Sequence, residues 1–428
     1  MNSRVRDLTR AGWAIAAAVA FLYLIGLASI YATEAASERP THTWKQMVFG
    51  VVSLLVAYVI LRMGFRRIHR HAYLIFALAL VALIPPALAH LLHFEFGGLI
   101  PGIRGAYRWV RLPGFQLQPS EFMKIAYILA LAWYLRYRKN NRRLSGLVVP
   151  LAVSILPLAL ILMEPDLGTV LLIMPVLFAM LFLAGARLRH LALIAGLGLV
   201  ATPLLWMKMQ PYQRLRITAV LLQSEAFRKD VAARPEAYWL LNKDAAALRR
   251  EARNWTHSSG MQLVRSKAAL GSGGLFGQGW RHGTYVQYNF LPDRHNDFVF
   301  ALIGHQWGLL GCLAVLGCYV VICVAGLQIA LGTQEPVGRL LASGVVLLIA
   351  TQVVINVGMC VGLMPITGMT LPFVSYGGSS LVTNFIAVAL LISVAQHRPF
   401  LLAPRPFEYR SGPLSFPPRP EDPYQVTP

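Results

Sequence analysis

The sequence predicts an all-α integral membrane protein with about ten transmembrane helices, both termini cytoplasmic and one long extracytoplasmic loop. Of its 428 residues, 56% are hydrophobic and only 13% are charged, and the mean hydropathy is +0.56. Ordinary soluble domains carry about 25% charged residues, so this composition argues against a cytosolic enzyme. A helix needs about 20 apolar residues to cross a bilayer. Such runs occur ten times, at 11–33, 46–63, 72–92, 115–135, 144–163, 167–185, 189–207, 298–331, 340–363 and 380–396.

Basic residues indicate which ends of these runs face the cytoplasm. Every second connection is basic, starting with the N-terminus, and the short alternate connections hold few Lys or Arg. The basic connections and the two termini carry 19 of the 39 basic residues. This alternation is the positive-inside pattern, and it predicts ten spans with both termini inside. The first run is too long for a cleavable signal peptide and lacks a small-residue cleavage site, so we expect it to be the first span.

One connection, residues 208–297, is long and lies outside in this topology. It holds 14 of the basic residues and only 7 acidic ones, which makes it a strong contributor to the net charge of +21. Long loops cross the membrane regardless of charge, and a basic outer loop attracts anions rather than requiring nucleic acid. Residues 224–254 have helical spacing and predict an amphipathic helix broken near Pro235. Residues 255–297 are rich in Gly, Ser, aromatic residues and His, which predicts shaped irregular backbone.

The chain ends in a repeated-proline segment from residue 398 to 428, which predicts a disordered cytoplasmic tail behind a membrane domain of residues 1–397. The four cysteines lie inside apolar runs. Their positions fit small buried hydrophobic residues and offer no disulfide or zinc spacing.

Four polar motifs interrupt the apolar pattern, all on the outer side of the predicted topology. Exposed irregular backbone is costly at membrane depth, so we expect the four to meet around one water-accessible cavity. The motifs are GAYRWVRLPGFQLQPSEFMK at 105–124, EPDLGT at 164–169, SKAALGSGGLFGQGW through LPDRHNDFVF at 266–300, and PITGMTLPFVSYGGSS at 365–380.

Together, and in this order, these motifs resemble the SEDS (shape, elongation, division and sporulation) family, from about the first span to the tenth. SKAALGSGG followed by GQGWRHGT is more similar to its rod-shape branch than to its division branch. The resemblance implies a ten-helix glycosyltransferase that polymerises lipid II into peptidoglycan during elongation, at the outer face of the bacterial cytoplasmic membrane. It also implies a class B penicillin-binding protein as transpeptidase partner.

Two other functions stay open at this point. Ten spans and an amphiphilic cavity also suit a transporter that flips the same lipid precursor. Transport predicts charged or broken-helix features near mid-membrane and access from both sides, whereas the four motifs gather on the outer face, which favours an enzyme. The chain could also be a non-catalytic scaffold whose outer loop recruits the transpeptidase.

Asp297 is the candidate general base for the acceptor hydroxyl. It stands where the polar loop enters an apolar run, and partial burial there is expected to raise its pKa towards a useful range. The alternative is a helix N-cap, or a carboxylate close to the start of the following helix. In the resembled family, the acid of His295-Asn296-Asp297-Phe298 is the essential carboxylate, which favours catalysis.

Cations are needed to stabilise a departing diphosphate. Arg108 and Lys124, within the first motif, are the preferred pair, with Arg214, Arg216 and Lys267 as further candidates. The alternative for Lys124 is a simple helical pair with Glu121 at the i, i+3 spacing. The residues expected to bind substrate are Arg108, Trp109, Glu121, Lys124, Asp166, Lys267, Ser375, Gly377, Gly378 and Ser379.

Several of these residues have equally simple structural explanations. Asp166 could bond its own turn, and the glycines of GSGGLFGQG could make turns rather than approach a phosphate. Ser375 and Ser379 could line a cavity or cap the last helix. Asp293, His295, Asp297 and His305 match no closed zinc pattern, so no metal site is predicted, and a divalent cation held loosely by the diphosphate is the cofactor that the chemistry allows.

Four features depart from the resembled family. His305-Gln306 stands where two Glu are usual, so the role of those acids cannot be carried over to this chain. Arg265 replaces an expected Gln, and Glu164 stands where Gln is common. Residues 222–254 are longer than the usual loop and could be an addition that binds a partner.

Overall fold

A computed structural model describes residues 10–34, 41–92, 98–102, 107–137, 142–209, 211–242, 244–288, 290–291 and 295–396. The fold is helical apart from one short hairpin. In chain order the elements are α1 (Arg10–Thr33), α2 (Thr41–Met63), α3 (Phe65–His69), α4 (Ala72–Leu92), β1 (Val110–Leu112), β2 (Phe115–Leu117), α5 (Pro119–Leu135), α6 (Val148–Met163), α7 (Leu167–Leu183), α8 (Leu188–Lys208), α9 (Pro211–Leu221), α10 (Glu225–Ala233), α11 (Ala245–Asn254), α12 (Met261–Ser272), α13 (Thr284–Gln287), α14 (Val299–Gly332), α15 (Pro336–Val361) and α16 (Gly378–Gln396).

Each of the ten apolar runs contains a helix, and the chain is a multi-pass membrane protein of the predicted helical class. Within the described residues, seven helices are long and apolar enough to cross a membrane: Arg10–Thr33, Thr41–Met63, Ala72–Leu92, Leu144–Met163, Val299–Gly332, Pro336–Val361 and Gly378–Gln396. The other three runs contain α5, α7 and α8. The number of ten spans and their orientation stay predictions.

The fourth run differs from its predicted boundaries. Residues 115–117 belong to β2, which pairs antiparallel with β1 through Val110–Leu117 and Leu112–Phe115. The helix begins only at Pro119, because proline is favoured in the first turn, where its missing N–H leaves no hydrogen bond unmade. The hairpin therefore stands directly before α5, within the first polar motif.

The centre of the bundle is formed by α5, α15 and α16. Nearly every residue of α5 is buried, and 72% of the apolar window is buried in both α15 and α16. By contrast, only 22% of the window is buried in α2 and in α4, whose exposed apolar faces suit contact with lipid. The helices that carry polar residues of the candidate site are thus held by the best-packed part of the molecule.

The long outer loop is more helical than predicted. Its first half confirms the broken amphipathic helix, because α10 and α11 are separated by a 3-10 turn at Pro235–Tyr238. The expectation of irregular backbone is wrong for Met261–Ser272, which forms α12. Leu263, Ser266 and Ala269 lie three residues apart, and this spacing buries one face of the helix.

The long helix α14 is broken near its start. Gly308 has φ 66° and ψ −160°, so residues before and after it form two helical segments. The glycine-rich stretch 274–279 pairs with the break, since Gln278 N donates to His305 O at 2.9 Å and Leu309 N donates to Gly274 O at 2.9 Å. The predicted single span at 298–331 is therefore a short segment followed by a longer one.

Some predicted features lie outside the described residues. These are the tail at 398–428, Asp293 and the first residues of the 105–124 motif. The four cysteines are free; Cys312 and Cys360 are buried, and Cys318 and Cys323 are half-buried.

Candidate active site

A cavity of about 1200 Å³ receives residues from all four polar motifs, as predicted. Its wall includes the hairpin and the start of α5, the α6–α7 turn, the segment before α14 and the segment before α16. Helices α2, α9 and α15 supply further side chains. Its charged lining residues among the described positions are Lys45, Arg108, Arg111, Arg216, Glu121, Asp166, Glu251 and Asp297, so basic and acidic groups are balanced.

Asp297 lines this cavity and is half-buried. Its backbone carbonyl accepts a hydrogen bond from Asn356 Nδ2 at 3.0 Å, which ties the segment to α15. The N-cap position of α14 is Phe298, and in this described stretch no side chain caps the helix. Asp297 is therefore not the N-cap of α14, although it lies close to the start of that helix.

Arg216 and Asp297 approach the same glycine, Gly368. A Cβ atom at Gly368 would lie 3.5 Å from Asp297 Oδ2 and 3.6 Å from Arg216 Nη1. Gly368 also has a φ of +75°, which favours glycine. The residue thus gives the carboxylate and the guanidinium room on one wall of the cavity.

Arg108 is buried beside the α6–α7 turn. Its Nε donates to the carbonyl of Glu164 at 3.0 Å, its Nη2 donates to the carbonyl of Pro165, and its Nη1 lies 3.8 Å from Asp166 Oδ1. Trp109, the next residue, also lines the cavity. Arg108 therefore joins the first motif to the second and presents positive charge to the cavity.

Asp166 is the N-cap of α7 and lines the cavity as well. Its carboxylate accepts hydrogen bonds from Thr169 Oγ1 at 2.8 Å and from Gln118 Nε2 at 3.1 Å. Burial acts to raise its pKa, but the Arg108 guanidinium and the bonds from Thr169 and Ser120 hold the pKa below its ordinary value. The turn explanation and the cavity position hold together for this residue.

Glu164, two residues before Asp166, has a pKa shifted in the opposite direction. It is fully buried, and among the described groups neither of its carboxylate oxygens has a hydrogen-bond partner. Burial, and then the charge of Asp166, raise the pKa of Glu164 from 4.5 to about 9. It is therefore a neutral carboxylic acid at neutral pH, which has the shape and charge of the glutamine common at this position in the resembled family.

Lys124 does not reach the cavity in the described structure. Its side chain is 2% exposed, and its Nζ lies 2.8 Å from Glu121 Oε2. Glu121 itself lines the cavity. Of the two preferred cations, Arg108 lines the cavity and Lys124 does not. The prediction for Lys124 is corrected, because its ammonium is paired with Glu121 inside the bundle.

Three other predicted residues lie off the described wall. Lys267 donates to Gln223 Oε1, beside Gly362 at the end of α15. Ser375 Oγ donates to Asn296 O at 2.6 Å and accepts from Leu371 N at 2.7 Å, so it joins two segments instead of facing substrate. Arg214 donates to the carbonyl of Met207, also off the wall.

Gly377, Gly378 and Ser379 do line the cavity, where α16 begins. Ser379 Oγ donates to Gln116 O at 3.2 Å and accepts from Gln118 N at 3.1 Å, so it joins the last motif to the hairpin. The backbone N–H groups that open a helix are suited to anions.

Two glycines of GSGGLFGQG, Gly273 and Gly277, serve packing. Gly273 lies against the carbonyl of Gly304, and Gly277 lies against Gln306, too close for a side chain at either position. Neither glycine is part of the described cavity wall. The explanation by turns and close backbone packing therefore replaces approach to a phosphate.

His305 and Gln306 are buried in the first segment of α14, away from the described wall. His305 Nδ1 lies 2.7 Å from Ser272 Oγ, and its ring packs against Tyr285. Among the described residues, no group of three or more His, Cys, Asp or Glu could hold a metal ion.

Sequence reasoning missed several lining residues. Gly368 and Thr370 lay inside the fourth motif, and Arg111 lay inside the first. Gln352 lies within an apolar run, where an isolated polar residue was the available signal. Gln352 Nε2 donates to Thr370 O at 2.9 Å, while Gln352 Oε1 and Asn296 Oδ1 have no partner among the described groups.

Comparison with known proteins gives one consistent family. The model of the FTSW_RODA_SPOVE family, described as cell cycle protein, matches residues 6–399. A probable peptidoglycan glycosyltransferase FtsW from Trichlorobacter lovleyi is 33% identical over 357 residues, covering 82% of this chain and 82% of its own. The peptidoglycan glycosyltransferase MrdB from Escherichia coli K12 is 34% identical over 299 residues, covering 70% and 73%.

Solved structures agree with this similarity. One match is a chain studied for the structural coordination of polymerization and crosslinking by a peptidoglycan synthase complex. It has a TM-score of 0.68 and 27% identity, covering 90% of this chain and 97% of its own. A variant of the rod shape determining protein RodA from Thermus thermophilus has a TM-score of 0.60 and 25% identity, covering 90% and 96%.

Proposed function

The chain belongs to the FtsW, RodA and SpoVE family of cell cycle proteins, and on that premise we propose that it is a peptidoglycan glycosyltransferase that polymerises lipid II into β-1,4 glycan strands. The observation that carries this proposal is the cavity, where a carboxylate, cations and hydrogen-bonding groups from four distant motifs meet at the ends of apolar helices. These are the groups that sugar transfer from a lipid diphosphate needs.

Asp297 acts as the general base. It takes the proton of the acceptor sugar 4-hydroxyl as that oxygen bonds to the anomeric carbon of the donor. The bond from the anomeric carbon to the diphosphate breaks at the same time, and the polyprenyl diphosphate leaves with the electron pair. Attack opposite an α-linked diphosphate inverts the centre and gives a β link. A diphosphate leaves readily without a strong acid, so one carboxylate suffices.

The diphosphate lies towards Arg108, Arg111 and the start of α16. Arg108 is fixed by the α6–α7 turn, so its charge is preorganised. The backbone at Gly377 and Gly378 adds the positive end of the α16 dipole. A divalent cation that accompanies the diphosphate also belongs to this proposal.

The acceptor sugar lies towards Gln352 and Asn296, beside Asp297. The side chain of Gln352 is 1% exposed, and its Oε1 has no partner in the described structure. A buried acceptor without a partner is costly, and a sugar hydroxyl can satisfy it. The bond of Gln352 Nε2 to Thr370 supports this orientation of the amide.

The reaction takes place at the outer face of the bacterial cytoplasmic membrane during elongation, with a class B penicillin-binding protein as transpeptidase partner. The basic connections between spans support the outward position of the cavity. The similarity to a chain of a synthase complex that coordinates polymerization and crosslinking supports the partner. Residues 222–254 are available on the outer side for such a contact.

The decisive experiment measures lipid II polymerisation by the purified full-length chain with its penicillin-binding partner. We expect Asp297→Asn to lower the rate at least about 100-fold, because the proton acceptor is lost. Asp244→Asn is the matched control, because Asp244 caps α11 away from the described cavity wall and Asn also caps helices well. A parent rate in Asp297→Asn would refute the base, and lipid II flipping without polymer would support the transporter.

A further inference from the structure

The outer end of α2 contacts both segments that carry the site. Gln46 Nε2 donates to Ser375 O at 3.1 Å, and Gly377 N donates to Gln46 Oε1 at 3.4 Å. One turn earlier, the ring of His42 lies 4.7 Å from that of His295 and 4.9 Å from that of Tyr376. His295 precedes Asp297 by two residues, so α2 touches the neighbourhood of the base without supplying it.

The carboxylate of Glu34, the residue directly after α1, fixes His42. Glu34 Oε1 accepts from His42 N at 2.7 Å and lies 2.7 Å from His42 Nδ1. Glu34 Oε2 accepts from Thr43 N at 2.9 Å and from Thr43 Oγ1 at 2.6 Å. A carboxylate at Nδ1 holds the ring proton there, which sets both the tautomer and the ring plane.

The environment keeps Glu34 ionised for this role. Its side chain is 9% exposed. Burial acts to raise the pKa of Glu34, but the hydrogen bonds from Thr43 and His42 hold the pKa below its ordinary value. The negative charge at the start of α2 is also favourable to the helix dipole.

The segment that His42 covers is held from its other sides by backbone contacts. Tyr376 N donates to His295 O at 2.8 Å, Ser375 Oγ donates to Asn296 O at 2.6 Å, and Asn356 Nδ2 donates to Asp297 O at 3.0 Å. These bonds fix the carbonyl groups, and the ring of His42 packs against the side chain of His295. The contact from α2 therefore completes the support of the segment.

We propose that Glu34 and His42 form a positioning pair for Asp297. Glu34 orients the imidazole of His42. This ring packs on His295 and Tyr376. Through these contacts it holds Asp297 in place at the cavity wall, near Gly377. The catalytic part of this inference rests on the proposed function, in which Asp297 is the base. Misplacement of a reacting group by about 1 Å can lower a rate about 100-fold, so such a contact matters to the rate.

Two variants separate positioning from stability. His42→Ala removes the ring, while Ser53→Ala removes a buried hydroxyl of the same helix α2 that bonds only Phe49 O, away from Glu34 and the described cavity wall. In lipid II polymerisation by the full chain with its partner, we expect His42→Ala to lower kcat about tenfold or more, with KM within about twofold. Ser53→Ala is expected to keep kcat within about twofold of the parent, even where the melting temperature falls.

Hydrogen exchange of the same purified proteins gives an independent readout. We expect faster exchange at the Tyr376 amide and at residues 296–298 in His42→Ala, and parent exchange in Ser53→Ala. This result would stand even if the parent did not polymerise lipid II, which would refute the proposed function instead. The positioning pair is overturned if His42→Ala exchanges like the parent, if its kcat is unchanged, or if Ser53→Ala loses as much kcat.

Discussion

Two carboxylates in one turn are held in opposite protonation states. Asp166 receives hydrogen bonds and lies next to Arg108, whereas Glu164 is buried with no described partner for its oxygens. The EPDLGT motif contains both residues, but the sequence did not predict the surroundings of either carboxylate. The distinction depends on Arg108, which is 56 residues from Glu164 along the chain.

The raised pKa of Glu164 predicts a pH-dependent stability. Unfolded Glu164 ionises near 4.5 and folded Glu164 near 9, so its stability contribution is full below pH 4.5 and is lost as pH rises towards 9. At pH 7 the buried acid costs about 3 kcal/mol relative to its contribution at pH 4.5. We expect Glu164→Gln to melt higher than the parent at pH 8 and close to it at pH 5.

Thermal unfolding of the two purified proteins at both pH values checks this expectation. Glu236→Gln is the control, since Glu236 is exposed in the outer loop and its loss should leave the pH profile unchanged. Equal pH profiles for Glu164→Gln and the parent would show that Glu164 ionises normally in the folded protein.

Among the elements, α14 illustrates where a periodic pattern stops being informative. Its apolar run predicts a helix, which is present, but the run gives no indication of the break at Gly308. The break exists because the glycine-rich stretch 274–279 pairs with the backbone there, a contact between segments that the apolar period does not encode. Similarly, α12 was not predicted, because the residues that follow it are rich in Gly and Ser.

The break predicts different tolerance at two glycines of α14. A Cβ at Gly308 would lie 2.4 Å from Gly277 N, and its positive φ is unfavourable for alanine. We expect Gly308→Ala to cost at least about 2 kcal/mol. Gly317 has open space around its Cβ position within the described structure, so Gly317→Ala should be neutral or stabilise by about 0.5–1 kcal/mol.

The melting temperatures of these two variants, measured in the same detergent, test the break. The expected order places Gly317→Ala at or above the parent and Gly308→Ala clearly below it. If both variants melted like the parent, the backbone at residue 308 would have to be helical.

For the whole molecule, the net charge of the chain differs from the charge of the cavity wall. The chain carries +21, yet the described cavity wall has four basic and four acidic residues. Of the basic residues described in the long outer loop, only Arg216 lines the cavity. The expectation that this loop attracts anions stays a prediction, and most of its described charges do not line the cavity.

The topology predicts which surfaces a membrane-impermeant maleimide reaches. A cysteine at Ser258, exposed at the cavity, should label in intact cells that express the full chain. A cysteine at Tyr137, which is 74% exposed after α5, should label only once the membrane is opened. The parent chain gives the background, because its cysteines lie in apolar helices. Labelling in the reverse order would contradict the predicted orientation.

The helical membrane class, the places of the apolar helices and the four motifs that meet in one cavity are all predictable from the sequence. These features follow from local composition and from spacing along the chain, because crossing a bilayer and forming a helix are constraints on consecutive residues. Asp297, Arg108 and Asp166 could be chosen on that basis, together with the resemblance of their motifs.

Tertiary structure decided which polar side chains face the cavity. In the folded protein, Lys124 pairs with Glu121 and Ser375 joins two segments. Gln352 and Gly368 become part of the wall. Tertiary structure also packs His42 of α2 against His295, which is distant from it in sequence. A buried polar group takes its orientation from the partners that neutralise it, and those partners come from distant segments that only folding brings together.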